Sequence, residues 1–431
     1  MDSALRDQPL LRRMTTMIAN QAVTVVAVCL ACALFGCSKD GARGSLEAPL
    51  TSVEGAALLR TAWTWSAPPD TALSIPAPQA SGDVLLVQTS RIYRGGTEAL
   101  ALSAQSGTVL WRTPAARCAL ADSSAVLLHD SALWCVDAKT GGQQWMKKLG
   151  PDWALSEADL AASDQVVVLA TRAQAAAYEI ATGRSLWHYS QPPRGYPADS
   201  VAMLAIGPKA AILSYRELAG GRHDSSTPSL VGIRIDDGQE LWRYASPSAV
   251  IGKPWLQGDI LLVRTDEQVV AVSAETGREL WACDTALPTR GGVAVVSAGQ
   301  TAYSVSGRFI TGYDMSSGSV RERCDLPEPL AMFGMLGSSV LVPVDGMLAI
   351  ACLELKERVA NGVFYLYSPE EEAVVYSSPV LAGATTSQVI AYGKRIFFVT
   401  MDRVVAMDVV GYEARRDSLS VSAGEWVISR G

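Results

Sequence analysis

The sequence predicts an all-β chain: an eight-bladed β-propeller of four-stranded antiparallel blades closed by an N-terminal strand, with seven blades as the alternative count. Three observations carry this. A Gly stands four residues before a Trp five times along the chain, and successive glycines lie 34, 42, 55 and 39 residues apart. The 431 residues are 49% hydrophobic and only 18% charged, which gives a large core and excludes a chain disordered throughout. Trp (11) outnumbers Phe (6) and Gly reaches 36, the bias of many tight turns and one recurrent Trp position.

In order, the units read Ala99 to Trp111, Leu133 to Trp145, Ala177 to Trp187, Val231 to Trp242 and Val270 to Trp281. Each holds an alternating strand, a polar turn ending in Gly, and then the Trp. The turn glycines Gly107, Gly141, Gly183, Gly238 and Gly277 are expected at positive φ, which only a residue without Cβ adopts freely. The tryptophans Trp111, Trp145, Trp187, Trp242 and Trp281 are expected to wedge between neighbouring sheets. Three weaker copies follow. Phe309 to Gly318 keeps the turn Gly but has Glu322 in the Trp place, Met347 to Leu353 keeps only the strand, and Val404 to Asp408 follows the strand Ile396 to Thr400. The last copy has no Trp strand of its own, whereas Thr61-Ala62-Trp63-Thr64-Trp65 stands unclaimed before the first. That N-terminal strand should complete the last blade and remove the open edges of the ring.

Ahead of the repeats, Arg6, Arg12 and Arg13 precede an apolar run from Ala22 to Phe35, too short for a bilayer span and suited to a secretory signal. Leu34-Phe35-Gly36-Cys37 resembles the lipobox of bacterial lipoproteins. That resemblance implies a signal peptide over 1–36, a lipid-modified Cys37 as the new N-terminus, a flexible tether over 37–56 and the propeller over 57–431. Formal net charge is −7, and −8 on the side chains once residues 1–36 are gone. With no compensating basic run, nucleic acid is not an expected partner.

Beyond Cys37 the cysteines are Cys118, Cys135, Cys283, Cys324 and Cys352, an odd number without a CxxC pair. Cys283 and Cys324 each lie six residues after their turn Gly, so they should occupy equivalent places on neighbouring blades, too far apart for a disulfide. Cys118 and Cys135 belong to one blade, where either a disulfide or packing as small apolar side chains stays open. Only three histidines are present, His129, His188 and His223, scattered, so no metal cluster is expected.

The signature Ala-x-x-x-x-Thr-Gly-x-x-Leu-Trp, best kept in Ala271 to Trp281, resembles the repeats of pyrroloquinoline-quinone-type propellers. Lipobox and eight repeats together resemble the BamB-type outer-membrane protein assembly lipoproteins. The resemblance implies a non-enzymatic, cofactor-free, periplasm-facing scaffold that binds a barrel insertase through loops at one end of the propeller. In that family a Leu-x-Leu-Arg-Gly loop supplies an Arg to the insertase. Here the corresponding Gln191-Pro192-Pro193-Arg194-Gly195 keeps the Arg, so Arg194 is the candidate partner-binding residue; the leucines are replaced, and a pair of aspartates expected between Arg243 and Gly258 is absent. Ser38, unlike the Asp-type retention signal for the inner membrane, points to the outer membrane.

Three further loops are candidates for contact: Glu217 to Ser229, Glu370-Glu371-Glu372 between repeats seven and eight, and Arg91 with Tyr93 and Arg94. Each also reads as a solvated loop. Two other functions stay open. One is a tethered ligand-binding or sensor propeller, for peptide or sugar, using the axial funnel. The other is a quinone-dependent dehydrogenase, which resemblance to the wider repeat family allows. Many such enzymes stack the quinone on adjacent cysteines and need calcium-binding carboxylates with a catalytic Asp. The chain has no Cys-Cys pair, and Asp137 and Asp314 stand just before repeat turns, where Asp commonly accepts turn amides.

Overall fold

Eight four-stranded antiparallel sheets make up the computed structural model. It describes residues 59–91, 96–153, 158–171, 173–190, 201–216, 230–246, 248, 250, 253–265, 267–285, 295–306, 309–326, 341–356, 359–378 and 387–410. Strand β1 (Leu59–Ser66) precedes blade 1, which is β2 (Thr71–Ser81), β3 (Val84–Arg91), β4 (Thr97–Ser103) and β5 (Val109–Pro114). Blade 2 is β6 (Arg117–Leu120), β7 (Ser124–His129), β8 (Ala132–Asp137) and β9 (Gln143–Lys148). Blade 3 is β10 (Asp159–Ala162), β11 (Val166–Ala170), β12 (Gln174–Glu179) and β13 (Ser185–Ser190). Blade 4 is β14 (Val201–Ile206), β15 (Ala210–Arg216), β16 (Leu230–Arg234) and β17 (Glu240–Tyr244). Blade 5 is β18 (Trp255–Gln257), β19 (Ile260–Arg264), β20 (Gln268–Ser273) and β21 (Glu279–Asp284). Blade 6 is β22 (Val295–Ala298), β23 (Thr301–Ser306), β24 (Phe309–Asp314) and β25 (Val320–Asp325). Blade 7 is β26 (Leu341–Val344), β27 (Met347–Lys356), β28 (Val359–Ser368) and β29 (Ala373–Ser377). Blade 8 is β30 (Ser387–Tyr392), β31 (Arg395–Thr400) and β32 (Arg403–Val409), completed by β1.

The first strands of successive blades touch in cyclic order and line the axis, so the sheets form an eight-bladed propeller. Its core is divided into eight apolar clusters, one in each gap between blades. Second strands are therefore covered on both faces. Val84-Leu85-Leu86-Val87 is buried throughout, which explains its unbroken apolar run. Outer strands alternate instead: in β21, Trp281 is buried between exposed Leu280 and Ala282.

One lock repeats around the ring. The indole of Trp63, Trp111, Trp145, Trp187, Trp242 or Trp281 lies on the turn glycine of the next blade, respectively Gly107, Gly141, Gly183, Gly238, Gly277 and Gly318. A Cβ there would come within 2.5–2.7 Å of the ring, and each of these glycines has φ between +69° and +73°. Each indole N–H also donates to the carbonyl three residues before that glycine. The acceptors are Ala104 (3.1 Å), Ala138 (2.7 Å), Ile180 (2.6 Å), Ile235 (2.7 Å), Ala274 (2.9 Å) and Met315 (2.8 Å). Trp111, Trp145, Trp187, Trp242 and Trp281 each contact the next blade in this way, and Trp63 of β1 does the same.

The Leu before Trp has its own cause. Ala101 pairs with Trp111 but Leu102 pairs with Val109, so Leu110 is the extra residue of a β-bulge that re-aims the indole. The same shift recurs at Cys135/Trp145, Ala177/Trp187, Gly232/Trp242 and Ala271/Trp281, and the residue opposite Trp is small each time. At Gly232 even a methyl would be 2.3 Å from the Trp242 ring.

Two gaps depart from the rule. At the blade 6–7 gap Glu322 replaces Trp, and its carboxylate accepts hydrogen bonds of 2.5 Å from the hydroxyls of Tyr303 and Tyr367. The turn residue that would have received the indole is Glu372, at φ +49°, with Tyr376 four residues on in the Trp place. Loss of the Trp and loss of the receiving Gly go together. At the blade 7–8 gap the rings of Tyr376, Phe364 and Phe398 pack at 6.2 and 5.9 Å. The run Glu370-Glu371-Glu372 is therefore the last hairpin turn within blade 7, not a segment between repeats seven and eight.

Closure follows the expected N-terminal strand. β1 pairs with β32 from Leu59↔Val409 to Ser66↔Arg403. Arg395 clamps Asp408 through two bonds of 2.6 and 3.0 Å and donates to the carbonyls of Ala104 and Gln105 in blade 1 at 2.7 and 3.0 Å. Ala104 thus accepts from both Trp63 and Arg395 across the closing gap.

Gly238→Ala should lower the unfolding free energy by about 2 kcal/mol or more, because it combines a left-handed backbone with displacement of Trp187. Glu372→Gly, with no indole opposite, should stay within about 1 kcal/mol of the parent, and urea titrations compare the two. The Arg395 hydrogen bonds hold the Asp408 carboxyl below its ordinary value. A depressed carboxyl contributes stability that is complete above its unfolded value of about 4 and is lost as pH falls through the folded value. Asp408→Asn should therefore be less stable than the parent at neutral pH, with the difference shrinking below about pH 4 in thermal melts.

Candidate partner-binding surface

Strands alternate in direction, so the propeller has two unlike ends. The first-to-second and third-to-fourth strand turns lie at one, the turn end. The second-to-third turns and the connections between blades leave from the other, the connection end. At the turn end, Asp137 accepts the amides of Lys139 and Thr140 at 3.1 and 2.8 Å, and Asp314 those of Ser316 and Ser317, both at 2.9 Å. Turn hydrogen bonds lower both carboxyls. These two aspartates serve their turns, as their place before the glycine suggested. Among the described residues no group of three His, Cys, Asp or Glu is placed to hold a metal ion.

Also at the turn end, the inner turns of blades 6, 7 and 8 surround a cavity of about 370 Å³ at the axis, lined by Ser297, Gly299, Asp345, Gly346 and Gly393. Asp345 faces Lys394 at 3.7 Å. The axial funnel of the sequence analysis thus has a polar mouth in this sector.

Arg194 lies outside the described residues, in the connection that leaves from the end of β13. The rim beside it is well tied. Tyr189 donates to Glu240 at 2.6 Å, Arg243 holds the same carboxylate at 2.5 and 2.6 Å, and blades 3 and 4 are joined on their outer edge. Arg243 first, and Tyr189 with it, keep the Glu240 carboxyl low. Glu217 to Ser229, which joins β15 to β16 at the connection end, lies outside the described residues, as do Cys37, Tyr93 and Arg94.

Arg91 is described, and it is neutralised by Glu98 at 3.2 Å. Both border a notch of about 210 Å³ between β1 and blade 1, together with Trp65, Asp70, Thr71 and Arg112. Arg112 was not singled out in the sequence, because it sits directly after Trp111 and reads as one more repeat position.

Cys118 and Cys135 occupy β6 and β8, with β7 between them: Cys118 pairs with Leu127 and Cys135 with Val126. Two strand spacings are about 10 Å, beyond disulfide reach. Both are free and buried, in different interblade clusters. Cys283 and Cys324 take equivalent outer-strand places, two residues after Trp281 and Glu322, and are free.

A family model described as "Outer membrane protein assembly factor BamB" matches residues 54–211 and 219–331. The chain belongs to the BamB family. A BamB relative from Burkholderia pseudomallei, named outer membrane protein assembly factor BamB, is 26% identical over 408 residues, 87% of this chain and 95% of the relative. The crystal structure of BamB from Moraxella catarrhalis matches with a TM-score of 0.53 at 16% identity, covering 83% of this chain and 99% of that one. Quinohemoprotein alcohol dehydrogenase from Comamonas testosteroni matches with a TM-score of 0.57 at 10% identity, over 82% of this chain and 77% of that one, a likeness of fold alone. The BamB family match ends within the segment that follows blade 6, where the Trp–Gly lock also stops.

Burial pushes the Cys118 thiol up to about 12 and raises that of Cys135. Burial raises the Cys283 and Cys324 thiols as well, but both are partly exposed, so iodoacetamide at pH 8 should modify these two first, while Cys118 and Cys135 react only in denaturant; peptide mass spectrometry reads the order.

Proposed function

We propose that the chain is a lipid-anchored, periplasm-facing scaffold that works in outer-membrane β-barrel protein assembly by binding other proteins, not by catalysis. The observation that carries the reading is the alignment across 95% of a relative named for that role. In this reading residues 1–36 are removed, Cys37 carries the lipid, and 37–56 tether the ring to the outer membrane. The chain enters the ring at Leu59, at the turn end, whereas the connection holding Arg194 leaves from the opposite end. Tether and partner loop are thereby kept apart, and Arg194 is the contact we assign to the barrel insertase. The axial cavity of about 370 Å³ favours one second reading, a tethered propeller that binds a small polar ligand.

Capture of the protein from membranes in mild detergent should recover a barrel insertase, and Arg194→Ala should reduce that recovery by about tenfold, the loss expected for one buried charged contact. Absence of the insertase even after cross-linking overturns the assembly role and leaves ligand binding as the reading to pursue.

A further inference from the structure

Three outer strands carry an arginine directly after the Trp place: Arg112 in β5, Arg243 in β17 and Arg323 in β25. Strand alternation turns the arginine to the face opposite the Trp, back toward the preceding gap. Two of the three are occupied. Arg243 holds Glu240 at 2.5 and 2.6 Å and reaches the Tyr189 hydroxyl at 3.1 Å, and Arg323 lies 3.8 Å over the Phe309 ring. Arg112, which lines the notch between β1 and blade 1, has neither an ion pair nor a hydrogen bond among the described residues.

Two positions account for the difference. Glu240 stands two residues before Trp242, and the same place in blade 1 is Val109, 41% exposed. Tyr189 stands two residues after Trp187, and the same place in β1 is Trp65. Both oxygen-bearing partners of Arg243 are thus replaced by apolar side chains, and the Arg112 guanidinium keeps its donors without an acceptor. Asp70, in the same notch of about 210 Å³, is the converse: Thr71 donates to it at 3.3 Å, but among the described residues no cation pairs with it. Arg91 and Glu98, the remaining charges of the wall, neutralise each other at 3.2 Å. One notch therefore holds an unpaired cation, an unpaired anion and an indole. It lies at the connection end, where Thr71 pairs with Arg91, away from the entry of the chain at Leu59.

We infer that this notch binds the C-terminal residue of a polypeptide, with the carboxylate on Arg112, the residue's own N–H toward Asp70 and an apolar side chain against Trp65. An arginine fork matches a carboxylate through two parallel hydrogen bonds, as Arg243 does with Glu240. A terminal residue brings that acceptor, a donor and an apolar group in one small unit. Inorganic phosphate has nothing to lay against Trp65 and is repelled by Asp70.

The probe is the peptide Gly-Ser-Gly-Ser-Gly-Phe, with fluorescein at its N-terminus and a free C-terminal carboxylate, titrated by anisotropy against the full-length protein in mild detergent. The same peptide ending in an amide should bind at least about tenfold more weakly. Arg112→Gln, at an exposed position with no internal partner to lose, should cost a similar factor. Val109→Glu supplies the carboxylate that blade 4 has, and should block the peptide without lowering the melting temperature. Equal affinity for acid and amide, or unchanged binding by Arg112→Gln, overturns the inference. So does equal binding of an amidated peptide with an internal glutamate, which makes an acidic side chain the occupant. Absence of saturable binding by the free acid overturns it as well, the result expected if residues 92–95, outside the described residues, fill the notch. Should a variant melt early, the comparison of acid with amide on the parent protein decides alone. None of these readings involves the insertase, so this inference and the assembly role fail separately.

Discussion

The ring depends on an indole lying on a residue that has no side chain. Burying one face of a Trp on the backbone of the next blade requires that the turn residue be glycine, and the same turn needs positive φ, so one residue meets both demands. The indole N–H then finds its acceptor three residues upstream, which keeps a buried donor satisfied. To reach that position the Trp needs a bulge before it and a small residue across from it. Gly, Leu and the opposing Ala, Cys or Gly are thus separate marks of one contact. Where Glu322 breaks the pattern, a carboxylate held by two tyrosine hydroxyls takes over, and glycine is no longer demanded in the next turn.

Such a ring is a platform and not in itself an activity. Its fold is shared with a quinohemoprotein dehydrogenase at 10% identity, so what distinguishes one member from another lies at the ends and edges. In this chain the turn end is built from tight, amide-saturated hairpins. The connections between blades leave from the other end, where β27 and β28, the longest middle strands, also meet. The blade most altered in its lock, blade 7, also has the longest middle strands and an uncharged outer edge, which concentrates this chain's departures from the repeat in one sector.

Much of the architecture was legible because the lock leaves a fixed spacing: Gly and Trp four apart report the turn and the strand after it. The closing strand was legible for the complementary reason, a Trp strand without a turn beside a turnless last blade. Blade 7 was hard to read because Gly and Trp had both changed, to Glu372 and Tyr376, although their spacing of four survived. The cysteines show another limit. Sequence could assign Cys118 and Cys135 to one blade but not show that β7 runs between them. Of the candidate site, Arg91 was visible as a loop cation, yet its neutralisation by Glu98 is a matter of three-dimensional approach, and Arg112 was hidden by its place in the repeat.

The ladder between β1 and β32 joins Leu59 to Val409, nearly the two extremes of the described chain. Until the last blade has been made, β1 has no sheet to join, and until β1 arrives, blade 8 keeps a bare edge. Ring completion is therefore the most non-local step in folding and must come after synthesis of almost the whole chain. A polypeptide built this way keeps its first strand waiting for its last, so the circle is the final piece of order the chain acquires.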